Sequence, residues 1–252
     1  MDVSSPVVDQ RRDAPRGKSR ASVAGPESHG RLVDASCRAL DIVGSASLLI
    51  FASPLLLTIG VLIRLDSSGP VLFRQERVGR DRKPFTVNKF RTMHHGVAHD
   101  RHRDFVVGLI KGESPAEQQA EIARQGPPSE GGPASLYKMM SDPRITRFGR
   151  LLRRSSLDEL PQLWNVLRGE MSLVGPRPAI PYEVEHYPPE WFDRFAVKPG
   201  LTGLWQVSGR SQVTLEEMVR LDVSYARQRS LWLNLRILAR TIPAVLGARG
   251  AW

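Results

Sequence analysis

The chain has 252 residues, with 36 lysines and arginines against 26 acids, and a formal net charge of +10. A single cysteine, Cys37, excludes an internal disulfide, and 41% hydrophobic residues exclude a wholly disordered chain. The surplus of cations points to an acidic partner: nucleic acid, an anionic lipid surface or a phosphorylated substrate.

Residues 1–30 are rich in Arg, Ser, Pro and Gly and read as a disordered basic arm; they hold no apolar core of a signal peptide. Cys37 follows, either a small buried residue or a thiol open to palmitoylation beside a membrane. Residues 42–63 then carry no charge and are long enough to cross a bilayer as a helix. Both flanks are basic, Arg31 and Arg38 before the run and Arg64, Arg74, Arg77, Arg80, Arg82 and Lys83 after it. Each flank prefers the cytoplasm, which one crossing cannot give them both. Ser53-Pro54 lies mid-run, where proline removes a helical hydrogen bond. A helix that enters, bends at Ser53 and Pro54 and returns to the same face reconciles these facts; a bitopic anchor is the alternative.

Alternation at 70–93 predicts two strands, 71–76 and 85–90, joined by a Gly-Arg-Asp-Arg-Lys turn. Lys89 and Arg91 share a strand face and suit two contacts to phosphate oxygens. Some of Arg77, Arg80, Arg82 and Lys83 read as cations snorkelling at a membrane. Residues 94–141 form a polar insert, with a short helix at 116–124 and a flexible loop at 126–133. His94, His95, His99 and His102 lack the partners of a zinc site.

The densest chemistry lies at 142–178. Leu160, Leu163, Trp164 and Leu167 predict an apolar helix face, with Gln162, Asn165 and Arg168 opposite and Gly169 as the stop. Ser156 and Glu159 have capping-box spacing, which starts the helix at Leu157; Pro161 favours a start at Asp158. Either phase puts Asp158 and Glu159 at the positive end of the helix dipole, where Arg150, Arg153 and Arg154 also favour ionised carboxylates. The two acids point about 100° apart, so they suit two roles. One can act as nucleophile while the other holds a cation or steers a proton. Gly175-Pro176-Arg177-Pro178 is a stiff turn with one guanidinium suited to a diphosphate. A second Gly-rich loop, 198–210, offers Gln206 and Arg210 to a nucleotide, with Trp205 read as a core aromatic. Asp222 is expected to pair with a nearby arginine, and Leu231–Leu246 reads as an amphipathic helix in the membrane interface or packed on the core.

SLDELPQLWNVLRGEMSLVGPRP resembles the signature of bacterial sugar transferases, the monotopic polyprenyl-phosphate glycosyl-1-phosphate transferases. FRQERVGRDRKPFTVNKFRTM (73–93), KPGLTGLWQVSGR (198–210) and LDVSYAR (221–227) follow in the family's order, over roughly residues 34–246 outside the insert. The resemblance implies an α+β, α-rich fold: a compact membrane-associated catalytic domain, a re-entrant helix broken at Ser53-Pro54, and interfacial amphipathic helices. The arm would then be 1–30, the membrane helix 31–65 and the catalytic domain 66–252, on the cytoplasmic side of the inner membrane. It implies transfer of a sugar 1-phosphate from a UDP-sugar to polyprenyl (undecaprenyl) phosphate. Asp158 would be the nucleophile, and Glu159 with Asp158 would hold Mg²⁺ or Mn²⁺. Arg153, Lys89, Arg91 and Arg177 would offset phosphoryl charge, and Pro178, Gln206 and Arg210 would line the donor site. Membrane lipids are implied partners, and a homodimer is a further expectation. The alternative is a membrane-tethered nucleic-acid- or lipid-binding protein without catalysis, but no nucleic-acid module is visible.

Overall fold

The computed structural model describes residues 27–94, 107, 108, 110, 144–208 and 213–246. The arm before residue 27, His95, His99, His102, the expected helix at 116–124, the loop at 126–133 and Arg210 lie outside the described residues.

Helix α1 spans Glu27–Asp66, so it begins inside the stretch expected to be an arm. It stays helical through Pro54. Proline cannot donate to the Ile50 carbonyl four residues back; Ser53 Oγ does so instead, at 2.7 Å. One turn on, Thr58 Oγ1 donates to the Pro54 carbonyl at 2.8 Å. The Ser-Pro pair thus opens the helical ladder and closes it again with hydroxyls.

Both halves of α1 pack on the same body. In the first half, Asp41 Oδ1 accepts from Ser172 Oγ at 2.9 Å and from Leu173 N at 2.8 Å. In the second half, Ile59 and Ile63 are buried with Phe90 and Leu152. Between them Ile50, Phe51 and Leu57 face outward, Phe51 with 84% of its surface exposed. Residues 30–66 are long and apolar enough to cross a membrane.

Strands β1 (Leu72–Val78) and β2 (Pro84–Phe90) form an antiparallel hairpin, with Phe73 opposite Lys89 and Arg77 opposite Phe85. The first strand runs two residues beyond the expected end. Asp81 and Arg82, both in the left-handed region, make the reversal.

Helix α2 (Arg147–Ser155) is capped by Thr146, whose Oγ1 accepts from Gly149 N at 2.9 Å. A 3-10 turn (Leu157–Glu159), α3 (Gln162–Arg168), β3 (Ser172–Val174) and α4 (Pro181–Val184) follow. A 3-10 segment (Pro189–Ala196), β4 (Gly200–Thr202), α5 (Leu204–Ser208), α6 (Leu215–Gln228) and α7 (Leu231–Leu246) complete the order. Strands β3 and β4 pair in parallel, and the main core of Leu163, Val166, Met171, Val174, Tyr225 and Ile237 gathers around them. Among the described residues the fold is helix-rich, with two small sheets placing the loops.

Helix α3 corrects the expected face assignment. Leu163 and Val166 are fully buried, but Gln162 and Asn165 are buried too, while Trp164 is half-exposed. Asn165 is inside because the hairpin needs polar partners. Its Oδ1 accepts from Asn88 N and Nδ2, both at 3.1 Å, and its Nδ2 donates to Thr86 O and Glu170 Oε2, both at 2.7 Å. On α7, Asn234 and Ile237 face the core while Trp232 and Ile242 stay exposed, so the helix packs on the domain and leaves an apolar side uncovered.

Candidate active site

The acid pair sits on the 3-10 turn between α2 and α3, not on a regular helix. Ser156 adopts φ 56°, a left-handed conformation that costs a non-glycine residue about 1–2 kcal/mol. A capping box needs an extended Ser156, so the Ser156–Glu159 box does not form; Ser156 makes no side-chain cap bond. The kink ends α2 and turns Asp158 inward, leaving it 6% exposed. Pro161 fits because Leu160 and Pro161 are already helical and supply carbonyls to Leu163 N and Trp164 N.

Glu159 Oε1 meets Lys89 Nζ at 2.9 Å, with about a quarter of each side chain exposed. Arg153, in the last turn of α2, donates from Nε to Thr92 Oγ1 at 2.9 Å. Helix α2 lies close enough to deliver it because Gly149 packs against Thr92 O; a Cβ there would come within 2.2 Å of that oxygen. Lys89 thus reaches the acid turn from the hairpin, while Arg153 stands one turn before it, held on Thr92. Arg91 does not join them. Strand β2 ends at Phe90, and the Arg91 guanidinium donates to Ser67 O at 2.7 Å and Ser68 O at 2.6 Å, at the end of α1. It is a buried helix cap, which corrects the expectation that Lys89 and Arg91 present two contacts on one face.

The Gly-Pro-Arg-Pro turn leaves β3 and rests on β4. Gly175 N donates to Thr202 O at 2.9 Å and Gly200 N to Pro176 O at 2.8 Å. A Cβ on Gly200 would lie 2.0 Å from Gly175 N, so both Gly-rich loops use their glycines to press backbone on backbone. Arg177 Nη1 lies 3.2 and 3.0 Å from the two oxygens of Glu183. Its guanidinium therefore faces a carboxylate. Burial opposes the Glu183 charge, but Arg177 and Arg77 outweigh it and hold the carboxyl below its usual range.

Buried charges fix the turn from behind. Arg194 donates to Asp222 Oδ2 at 2.5 Å, to Arg177 O at 2.9 Å and to Tyr187 OH at 3.1 Å. Asp222 also accepts from Arg177 N at 3.3 Å, which bears out the expected arginine partner. Burial pushes the Asp222 carboxyl up to about 6 against the pull of Arg194. From the hairpin, Arg77 Nη1 donates to Pro178 O at 2.9 Å. Gln206 is half-buried on α5, with its backbone N–H on Gly203 O, and Trp205 packs with Met218 and Val219 as a core aromatic.

Sequence reasoning missed Arg77, Glu183 and Arg194. For Arg77 a signal existed: Phe73, Gln75 and Arg77 alternate on the β1 face that opposes Phe85, Val87 and Lys89. Glu183 and Arg194 had none, because their partners are distant in sequence or lie beyond a turn.

Fold and site together define a helix-rich, membrane-associated protein with one long apolar helix and a turn of two adjacent acids met by Lys89. The chain matches the bacterial sugar transferase model over residues 33–248 and belongs to that family. It is 41% identical over 215 residues to a UDP-galactose-lipid carrier transferase of Erwinia amylovora, covering 85% of this chain and 41% of that protein. Exopolysaccharide production protein ExoY of Rhizobium meliloti is 38% identical over 215 residues, covering 85% and 87%. The UDP-glucose:undecaprenyl-phosphate glucose-1-phosphate transferase of Caulobacter vibrioides is 38% identical over 228 residues, covering 87% and 73%. The chain therefore spans about two-fifths of the first relative and most of the other two.

Proposed function

We propose that this protein transfers a sugar 1-phosphate from a UDP-sugar to undecaprenyl phosphate, the first lipid-linked step of an exopolysaccharide, capsule or O-antigen. The observation that carries the reading is the acid turn: Asp158 and Glu159 adjacent, Asp158 turned inward, with Lys89 on Glu159 and Arg153 one turn before. The relatives' names supply the substrate classes.

In this mechanism an Asp158 oxygen attacks the β-phosphorus of the donor. The bond from that phosphorus to the bridging oxygen breaks, and UMP leaves with the oxygen. An oxygen of undecaprenyl phosphate then attacks the aspartyl phosphosugar, releasing the Asp158 carboxylate and the lipid diphosphate-sugar. Lys89, Arg153 and Arg177 lower the repulsion between the carboxylate and its anionic target. The oxygen donors of Asp158 and Glu159 fit Mg²⁺ or Mn²⁺, which binds through one or two carboxylates together with substrate phosphates. Such an ion would supply further neutralisation of the diphosphate.

Helix α1 enters and leaves the same membrane face in this reading. A crossing helix separates its ends by about 30 Å of hydrocarbon, whereas Asp41 and Ile63 both pack on one domain that also carries the charged site. Tags at residues 1 and 252 should both react from the cytosol; periplasmic labelling of either end rejects the topology.

The catalytic test uses the full chain in membranes with undecaprenyl phosphate and a panel of UDP-sugars. Asp158→Asn should abolish UMP release and the phosphosugar adduct seen by intact-mass measurement without lipid acceptor. Unchanged turnover in that variant removes Asp158 from the mechanism.

A further inference from the structure

The Gly-Pro-Arg-Pro turn is held from the hairpin by a cation with no part in the mechanism so far, Arg77. Arg77 stands on the inner face of β1, half-buried, with Nη1 on Pro178 O at 2.9 Å and Nη2 on Gln75 Oε1 at 2.6 Å. Both partners are neutral. Among the described residues no carboxylate lies within ion-pair distance of it, because Glu183 is already shared by both of its oxygens with Arg177, and Glu159 with Lys89.

A second guanidinium belongs to the same turn: Arg177 precedes Pro178, whose carbonyl Arg77 holds. Burial and, after it, the Arg177 cation push Arg77 down to about 10, while Glu183, Tyr182 and Glu159 act the other way. Two like charges held at one turn, each only partly exposed, repel, and Arg77 gains no carboxylate in return among the described residues. Electroneutrality makes the pair intelligible. Arg177 has Glu183 and Arg194 has Asp222, whereas Arg77 has no described carboxylate within ion-pair distance, and it stands at the Gly-Pro-Arg-Pro turn on the hairpin that also carries Lys89 to Glu159.

We propose that Arg77 is a phosphate-binding residue, completing with Arg177 a two-guanidinium seat for a phosphoryl group of one of the two substrates. The inference rests on the phosphosugar-transfer reading for the identity of that group, and on the charge arrangement for its existence. Gln75 and Pro178 position the guanidinium, since Oε1 of the one holds Nη2 and the carbonyl of the other holds Nη1, which fixes the cation on the inner face of the hairpin at the Gly-Pro-Arg-Pro turn. The donor diphosphate and the lipid phosphate share the chemistry this seat recognises.

The test uses the detergent-solubilised full chain and the variants Arg77→Gln and Arg77→Lys. Arg77→Lys keeps the charge but loses the fork, so it serves as the folded comparison if Arg77→Gln melts early. Removing a charge-assisted contact should raise the KM of one substrate roughly ten- to a hundredfold, with a smaller change in kcat. A rise for the UDP-sugar, with weaker UDP binding by calorimetry, assigns the seat to the donor diphosphate. A rise for undecaprenyl phosphate alone, with UDP binding intact, assigns it to the acceptor. Both KM values within twofold of wild type in Arg77→Lys, with UDP binding intact, overturn the proposal. Inorganic pyrophosphate separates this from the parent reading. If the wild-type protein releases no UMP from any UDP-sugar but pyrophosphate still raises its melting temperature, and Arg77→Lys loses that rise, the seat stands while the reaction assignment fails. Equal pyrophosphate stabilisation of both proteins removes the seat.

Discussion

Replacing Arg194 by methionine tests whether the turn at 175–178 is held from behind by charge. The Arg194 side chain has no exposed surface, and its partner Asp222 is 1% exposed. Methionine keeps much of the apolar stem but removes the donors to Asp222 Oδ2, Arg177 O and Tyr187 OH. Asp222 would keep only the Arg177 backbone N–H at 3.3 Å, leaving a buried carboxylate nearly uncompensated. Breaking one partner of a buried pair costs about 3–5 kcal/mol. For a domain of this size that corresponds to roughly 6–20 °C in melting temperature, read by circular dichroism in detergent. The pH dependence has a definite sign. Asp222 titrates at about 6 in the fold against 3.8 unperturbed. Its contribution to stability is therefore full below 3.8 and lost as pH rises through 6. Arg194→Met pushes that carboxyl higher still, so its deficit against wild type should shrink between pH 8 and pH 5. Adding Asp222→Leu should recover part of the loss, because neither partner then remains charged and alone. The reasoning fails if Arg194→Met melts within about 2 °C of wild type, or if the two substitutions are strictly additive.

Three further outcomes follow from the contacts. Lys89→Met should change stability by no more than about 1 kcal/mol, since the Glu159 pair is a quarter exposed, yet lower UMP release at least about tenfold. Asn165→Leu leaves Thr86 O and Asn88 N, part-buried at this contact, without their partner, at roughly 1 kcal/mol for each lost bond; protection of the hairpin amides in hydrogen exchange should fall with it. Gly149→Ala places a methyl 2.2 Å from Thr92 O and should push α2 off the hairpin, lowering both melting temperature and activity; an unchanged melting curve contradicts the packing.

What the sequence made legible was whatever a local rule governs. The apolar run, the hairpin and the stop at Gly169 follow from hydropathy and turn chemistry, and the structure places them close to their expected ends. The acid pair was legible as chemistry but not as geometry, since a left-handed serine is forced by the tertiary path and not by its own preference. Helix α3 was misjudged because periodicity counts an asparagine as a surface residue. Here Asn165 is the bond between a helix and a strand, and the strand's exposed amides and carbonyls are a demand that periodicity cannot register. Arg91 and Arg77 were exchanged for a related reason. Alternation puts both on the inner side, but only the strand end at Phe90 decides that Arg91 turns back to cap α1 while Arg77 stays at the site.

That exchange explains why the hairpin is built as it is. One end of its inner face carries Lys89 to Glu159, and the other carries Arg77 to Pro178. Neither loop it touches has a rigid element of its own at the contact: the acids lie on a three-residue 3-10 turn, and the Gly-Pro-Arg-Pro segment follows a three-residue strand. The distance between the two is therefore set by the strand pair, about 3.4 Å for each residue along it, and by Asn165 fastening that pair to α3. A group attacking phosphorus must be placed to within a fraction of an ångström. On this geometry the precision comes from the hairpin register, so inserting one residue into β1 between Phe73 and Arg77 should abolish turnover while leaving the exposed apolar side of α1, and with it sedimentation with membranes, intact.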